Sequence, residues 1–491
     1  MVRYLRPIGP ELPEVLAEPT PKEIVEELDR FVVGQEAAKR SVAIALRNRA
    51  RRAHVGSEIA DEIQPKNILM VGPTGVGKTE IARRLARFSR SPFVKVEASK
   101  FTEVGYVGRD VEAMVRELVE VAVEVLREEL LEDVQPQAEI NAEERILDLL
   151  LPPTGPLPAS LGFDGPAPNG DAAPEAASEA EGGDGDPAES GRHAEDARRA
   201  LRTREKLRAR LRRGEMSERI VEVEIREPQA PFLEALSGPV EEFDVNTGEM
   251  LRSMFGPRYR KTEMVVPQAL DYLIHEEEER LVDLRQVSRL ALERAEGHGI
   301  VFIDELDKVT SAGDAAGPEV SRQGVQRDLL PILDGSTVTT RYGSIRTDHI
   351  LFIGAGAFLD RRPSDLIPEL QGRFPIRTDL HPLTVDDFEK ILTEPEGALL
   401  KQYTALLATE GVRIGFESEG IREMAEVAAR MNARMEDIGA RRLQTILERV
   451  LEDLLFDAPD VEEHEWTIDA DYVRKRLADA LEEEDLSRFI L

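Results

Sequence analysis

Short apolar runs alternate with helix-like stretches along much of the chain. The runs of strand length are 66–71, 93–97, 299–303 and 348–353. The intervening segments, such as 80–86 and 318–333, have the character of helices. This alternation predicts an α/β domain in which helices cover both faces of a parallel sheet.

From Leu383 onward the pattern becomes helical. Thr384 and Asp387 have the spacing of a capping box at the start of the first of these helices. A strand-like segment, Trp466–Ile468, precedes the last one. The predicted helices are 385–409, 419–436, 439–456 and 470–484. They form a small, mostly α C-terminal domain.

A large insertion interrupts the α/β pattern. Its first part, 111–131, has helical spacing, whereas 151–197 is rich in Pro, Gly, Ala and acidic residues and is predicted to be disordered. The basic stretch Arg198–Arg213 follows, and the acidic run Glu276–Glu279 could balance its charge. The predicted parts are an N-terminal extension (1–20), an α/β domain in two pieces (21–124 and 291–382), an inserted, mostly helical intermediate domain (125–290) and a C-terminal domain (383–491).

The composition excludes several classes of protein. A net charge of −32 over 491 residues would repel phosphate backbones, so we expect no nucleic-acid partner. The absence of cysteine excludes disulfides and Cys-based zinc sites. The first residues lack the apolar core of a signal peptide, and no segment approaches the ~20 apolar residues that span a bilayer. We therefore expect a soluble, cytoplasmic protein with no membrane partner.

Directly after the first predicted strand, Gly72–Thr79 has the pattern G-x-x-x-x-G-K-T, and a helix-like stretch follows. Strand, glycine-rich loop and helix in this order form the phosphate-binding loop of nucleotide hydrolases. Its amides and the helix N-terminus point at phosphates. Lys78 would reach the β- and γ-phosphates, and the Thr79 hydroxyl would bind Mg²⁺. The predicted nucleotide-binding residues are Gly75, Val76, Gly77, Lys78, Thr79 and Glu80.

Far downstream, the apolar strand at 299–303 ends in two carboxylates, Asp304 and Glu305. Together with the phosphate loop, this pair predicts hydrolysis of a nucleoside triphosphate. Asp304 would hold Mg²⁺ and Glu305 would orient and deprotonate the attacking water.

The phosphate loop, the Asp-Glu strand end and the small helical domain together resemble the AAA+ family of ring ATPases. The resemblance implies an AAA+ P-loop NTPase core with a helical lid. It also implies that Arg373, in PELQGRF, is a catalytic finger that reaches the neighbouring subunit's γ-phosphate, and that Arg441, in GARRL, contacts nucleotide. For either arginine alone a surface salt bridge is the alternative, and Arg442 could replace Arg441. Gly354–Ala357 departs from the family, because AAA+ proteins usually end this strand with a polar residue.

Gly105, Tyr106, Val107 and Gly108 place an aromatic and an aliphatic residue between two glycines. A buried tyrosine at a tight turn is the alternative, but the motif resembles the pore loop with which protein-unfolding rings grip a polypeptide. GYVGRD, PELQGRFPIR, GARRL and the terminal EDLSRFIL (484–491) are together similar to the HslU (ClpY) family.

The HslU resemblance extends from about residue 21 to the C-terminus, except for the acidic low-complexity part of the insertion, and implies several further roles. Val33 would pack on adenine, and Glu369 would contact the nucleotide. The subunits would form a homo-hexameric ring that acts on unfolded protein. The apolar tail would dock on an HslV-type peptidase through Leu486, Phe489, Ile490 and Leu491.

The predicted function is therefore an ATP-dependent unfoldase that feeds a separate peptidase. The chain carries no recognisable peptidase motif of its own, since neither H-E-x-x-H nor G-x-S-x-G occurs. The alternatives are a ClpX-like unfoldase that serves a different peptidase, a stand-alone protein-remodelling chaperone, and a DNA-remodelling AAA+ motor, which the net charge disfavours.

Overall fold

A computed structural model describes residues 19–55, 63, 66–102, 109–151, 202–226, 259–310, 322–458 and 465–482. The chain divides into two compact units. The first comprises Met1–Val125 and Ser288–Leu491, and the second comprises Leu126–Val287.

The first unit is built on a five-stranded parallel sheet. Because the strands are parallel, their carboxyl ends meet at one edge of the sheet, where ligands bind in open α/β folds. The parallel sheet predicted from the apolar runs is confirmed. In their order across the sheet, the strands are β2 (Phe93–Glu97), β5 (Ile300–Asp304), β8 (Leu351–Gly356), β1 (Ile68–Val71) and β9 (Ile376–Asp379).

Helices cover this sheet. β1, β5 and β8 are almost completely buried, as expected for parallel strands with helices on both faces. A short antiparallel pair, β6 (Thr337–Thr340) and β7 (Gly343–Arg346), was not predicted from the sequence. The helices of this part are α1 (Pro21–Asp29), α2 (Glu36–Ala53), α3 (Lys78–Phe88), α4 (Ala113–Leu150), α7 (Leu284–His298), α8 (Arg322–Asp334) and α9 (Pro368–Arg373).

The C-terminal part of the same unit is mostly helical and has its own apolar core. The single helix predicted at 385–409 is wrong, because two helices occupy this stretch. Pro395 lacks a backbone N–H and cannot continue the first helix. The elements are α10 (Val385–Thr393), α11 (Leu399–Ala408), β10 (Arg413–Phe416), α12 (Ser418–Arg434), α13 (Arg441–Asp457), β11 (Glu465–Ile468) and α14 (Ala470–Glu482), and β10 pairs with β11.

The second unit contains the later part of α4, a helix α5 (202–212), the antiparallel strands β3 (Ile220–Arg226) and β4 (Tyr259–Val265), and α6 (Val266–Leu281). Its apolar core includes Ile146, Val223 and Leu273.

Charge pairing in this unit differs from the expectation. Arginines of α5 pair with acidic residues of α4, for example Arg212 with Glu143 at 2.8 Å and Arg204 with Asp148 at 2.5 Å. Glu277 of the acidic run binds Arg145 instead, at 2.7 Å. Members of the two runs that pair with α4 include Arg204, Arg208 and Arg212 of the basic run and Glu276 and Glu277 of the acidic run. No helix among the described residues has the length and apolarity that crossing a membrane requires.

Candidate nucleotide site

The phosphate loop leaves β1 at the carboxyl edge of the sheet and leads into the N-terminus of α3. Gly75 and Gly77 have φ of +75° and +100°, a region that residues with a Cβ rarely adopt. A Cβ at Gly72 would lie 2.6 Å from the carbonyl oxygen of Leu380. The glycines therefore permit a tight turn that carries the amides of Val76 to Thr79 to the end of an 11-residue helix. This geometry suits the phosphates of a nucleotide.

Lys78, the first residue of α3, is buried. Its Nζ donates hydrogen bonds to the carbonyl oxygens of Gly72 and Pro73, at 2.5 and 2.7 Å. Burial lowers the pKa of Lys78, while Asp304 and Asp307 oppose that shift and Arg441 adds to it. The phosphate loop, the end of β5 and the start of α13 thus lie within electrostatic reach of one ammonium group.

The two carboxylates after β5 have different partners. Asp304 Oδ2 lies 2.9 Å from Lys95 Nζ on the adjacent strand β2. Glu305 has a left-handed backbone, with φ of 57°, and its Oε2 accepts a hydrogen bond of 2.8 Å from Ser99 Oγ. Strain of this kind clusters at functional sites. The backbone directs Glu305 away from the strand, and Ser99 fixes its carboxylate.

The helical part contacts the phosphate loop through backbone atoms. Ala440 N donates to Gly75 O at 3.1 Å. A Cβ at Gly75 would overlap the carbonyl oxygen of Ile438, and a Cβ at Gly439 would lie 2.6 Å from the carbonyl oxygen of Thr74. Two glycines facing each other allow this contact.

The two candidate arginines of this segment differ in environment. Arg442 is 1% exposed, and it donates to Asn432 Oδ1 at 3.1 Å and to the Glu436 carbonyl oxygen at 2.8 Å. Burial lowers the pKa of Arg442. Arg441 is exposed, and its charge acts on Lys78. This difference favours Arg441 as the nucleotide contact.

The segment before α2 borders the other side of the loop. A Cβ at Gly77 would lie 3.3 Å from Val32 Cγ1, and the neighbouring Val33 is half-buried. Gln35 exchanges two hydrogen bonds with the backbone of His381, at 2.9 and 3.0 Å. These contacts anchor an apolar segment beside the loop, which suits the packing of Val33 on a base.

Arg373 and Glu369 share the short helix α9, and both are exposed. Arg373 forms a two-point ion pair with Asp334 at the end of α8, with its Nη2 2.9 Å from Asp334 Oδ2. Its carbonyl oxygen accepts a bond of 3.1 Å from Asn67 Nδ2, and Asn67 Oδ1 accepts the amide of Phe352 at 3.1 Å. Both the guanidinium group and the backbone carbonyl group of Arg373 are thus bound by residues of its own chain.

The end of β8 has little room for larger side chains. A Cβ at Gly354 would overlap Leu306 Cδ1, and one at Gly356 would lie 2.8 Å from Asp307 Oδ1. Where AAA+ proteins usually place a polar residue, this strand end therefore meets the buried carboxylate of Asp307.

The predicted pore loop, Gly105 to Gly108, and the predicted docking tail, which contains Leu486, Phe489, Ile490 and Leu491, lie outside the described residues. The same holds for the segment predicted to be disordered, 151–197, apart from its first residue, Leu151.

Several known proteins align with nearly the whole chain. An ATP-dependent protease ATPase subunit HslU of Desulfotalea psychrophila is 54% identical over 475 residues, which cover 96% of this chain and 98% of that protein. Proteins of the same name from Thermotoga maritima and Nitratidesulfovibrio vulgaris are 51% and 53% identical, each over 96% of this chain and 99% of their own length. The chain belongs to the HslU family.

Two models of AAA domains match within this HslU-family chain. The model of the ATPase family associated with various cellular activities (AAA) matches residues 68–136, which contain the phosphate loop. The model of the AAA domain (Cdc48 subfamily) matches residues 239–377, which contain Asp304, Glu305 and Arg373. The AAA+ core expected from the motifs is therefore confirmed.

Sequence reasoning did not find Lys95, Ser99 and Asn67, which contact the predicted site residues. Pairing of β2 with β5 places Glu97 beside Asp304, so strand order would have brought Lys95 and Ser99 to this edge. No local motif marks Asn67.

Proposed function

We propose that this chain is the ATPase subunit of a two-component protease, and that it hydrolyses ATP to unfold proteins and pass them to a separate HslV-type peptidase. The observation that carries the proposal is that the phosphate loop follows β1 and the carboxylates Asp304 and Glu305 lie at the end of β5, at the same edge of one parallel sheet, and that Ala440, next to Arg441, bonds to that loop in a chain of the HslU family. ATPase activity follows from that family and from the two matching AAA models.

In the proposed site, the amides of Gly75 to Glu80 bind the nucleotide phosphates. Lys78 exchanges its bonds to the loop carbonyls for phosphate oxygens. Thr79 and Asp304 hold Mg²⁺, which neutralises developing negative charge when bound. Glu305, fixed by Ser99, accepts a proton from the attacking water. Val33 packs on the adenine.

We further propose that the active sites are completed in a homo-hexameric ring. Arg373 serves the neighbouring subunit's site, where a cation stabilises the transition state. Arg441 and Glu369 contact nucleotide, so that hydrolysis changes the position of the lid. The backbone contact between Gly75 and Ala440 carries that change directly from loop to lid.

The remaining proposed roles concern substrate and partner. Tyr106 and Val107 grip an unfolded polypeptide in the pore, and the apolar C-terminal residues dock on the peptidase. Residues 125–290 form an intermediate domain inserted into the nucleotide-binding domain.

The experiment is reconstitution with a purified HslV-type peptidase. We expect the chain to hydrolyse ATP alone and to raise hydrolysis of a short fluorogenic peptide by that peptidase when ATP is added. A chain that lacks Phe489–Leu491 should keep its ATPase activity and lose the stimulation. If the truncated chain stimulates the peptidase as well as the full chain, the tail does not dock it. If neither does, a stand-alone chaperone becomes the better assignment.

A further inference from the structure

Gln326 is a completely buried amide in the first half of α8. Its Nε2 donates a hydrogen bond of 2.8 Å to the carbonyl oxygen of Val309. Its Oε1 accepts a hydrogen bond of 2.9 Å from the backbone N–H of Ile367. One side chain therefore joins two backbone segments that are far apart in sequence.

Each of the two segments leads to a residue of the proposed active site. Val309 ends the short 3₁₀ turn Leu306–Val309 that directly follows Glu305. Ile367 is the N-cap of α9, and Arg373 is the last residue of that helix. Gln326 thus connects the segment of the proposed catalytic base with the helix of the proposed arginine finger.

Helix α8 also binds the C-terminal end of α9. Asp334, its last residue, forms the ion pair with Arg373. α9 is only six residues long, and it is bound at its first turn by Gln326 and at its last residue by Asp334. A short helix held at both ends by one longer helix moves with that helix.

A second contact joins the same two segments without α8. Leu306, next to Glu305, and Phe374, next to Arg373, both pack on Gly354 of β8. A Cβ there would overlap Leu306 Cδ1 and lie 3.0 Å from Phe374 Cε1. All three residues are buried. Close packing transmits small shifts, since a dense interior has no free volume in which to absorb them.

We propose that Gln326 is a positioning residue that couples Glu305 in a subunit's own site to the Arg373 that the same subunit offers to its neighbour. The inference rests on the proposed roles of Glu305 and Arg373. A shift of the turn after Glu305 moves the Val309 carbonyl group, and Gln326 passes the movement to the start of α9. Hydrolysis of ATP in one subunit's site then changes the position of that subunit's Arg373 in the neighbouring site.

The chemistry at this position requires an amide. The side chain must donate to a carbonyl oxygen and accept from an N–H at the same time, which glutamine does and an ionised glutamate does not. Gln326→Leu removes both bonds, and Gln326→Glu keeps only the acceptor. The matched control is Gln323→Glu, at an exposed position one turn earlier on the same helix.

The test distinguishes two effects of Gln326: one on the Arg373 that the subunit offers to its neighbour, and one on catalysis in the subunit's own site. We expect homogeneous rings of Gln326→Leu to lose ATPase activity by ten- to a hundredfold, the order of magnitude for a misplaced catalytic group, and Gln323→Glu to keep it. Gln326→Leu is then mixed with Glu305→Gln, which supplies a normal finger but cannot hydrolyse. Activity should rise above the sum of the separate preparations, because the Gln326→Leu sites receive intact fingers.

A mixture of Arg373→Ala with Glu305→Gln is run in parallel. If this control regains activity and the Gln326→Leu mixture does not, Gln326 acts only on its own site and the inference is wrong. If the control also fails, Arg373 does not act between subunits, and the proposed ring site is overturned together with the inference. Full activity of homogeneous Gln326→Leu rings would also refute the coupling. Should that variant not fold, Gln326→Glu takes its place in the same mixtures.

Discussion

Replacing Gly439 by alanine tests the contact between the phosphate loop and the helical C-terminal part of the first unit, which is the proposed lid. Gly439 has φ of +57°, and a Cβ there would lie 2.6 Å from the Gly75 carbonyl carbon and the Thr74 carbonyl oxygen. These are backbone atoms, so the clash cannot be relieved by a rotamer change. The lid or the loop must move.

The magnitude of the Gly439→Ala effect follows from two contributions. A left-handed conformation costs a residue with a Cβ about 1–2 kcal/mol. The steric overlap adds to this cost only while lid and loop remain in contact. The left-handed cost lowers the stability of the folded chain, as it also does in Gly411→Ala, whereas the overlap weakens the contact between lid and loop and with it nucleotide binding. Overpacking of this kind costs about 1–3 kcal/mol. The nucleotide Kd should therefore rise about five- to 150-fold, since each 1.4 kcal/mol is a factor of ten.

The assay is a titration of ATP binding, followed by calorimetry or by fluorescence of a labelled nucleotide. Gly411→Ala is the matched control, because Gly411 lies in the same helical part with φ of +79° and no atom within 4 Å of its Cβ position. That variant should unfold more easily and bind ATP normally. If Gly439→Ala also binds ATP like the unmodified chain, the lid contact does not contribute to nucleotide binding.

The remaining predictions concern single side chains. Glu305→Gln should bind ATP normally and lose hydrolysis by about a hundredfold or more; a loss of binding measured by the same titration would contradict its assignment as base. Tyr106→Ala should keep ATPase activity and abolish degradation of a folded substrate, and normal degradation would exclude a pore-loop role. Arg441→Ala should weaken ATP binding without changing thermal stability, whereas Arg442→Ala should lower the free energy of unfolding by roughly 1–3 kcal/mol, because the side chain of Asn432 and the carbonyl oxygen of Glu436 lose a partly buried hydrogen bond. Equal melting temperatures for the two variants would refute that distinction.

Local patterns predicted the strand, phosphate loop and helix at Ile68–Phe88, because each of these elements is encoded within a few consecutive residues. The split of the helix predicted at 385–409 could also have been found, since Pro395 marks it. The choice between Arg441 and Arg442 is partly encoded as well. Arg442 shares one helical face with Ile446 and Val450, and all three are buried.

Other features depend on which segments meet in three dimensions. The sequence shows a glycine at 439 but not that it packs on Gly75. Ser99 reaches Glu305 only because β2 pairs with β5 across a long insertion. The ion pairs between α5 and α4 likewise required the relative placement of two helices, and a balance of charges along the chain predicted the wrong partners.

The most direct test of the account is degradation of a stably folded protein by the full chain together with an HslV-type peptidase. We predict degradation that requires both components and ATP hydrolysis, and that stops with Glu305→Gln although this variant still binds ATP. Degradation that proceeds at the same rate with Glu305→Gln, or without ATP, would contradict the assignment of this chain as the motor of a two-component protease.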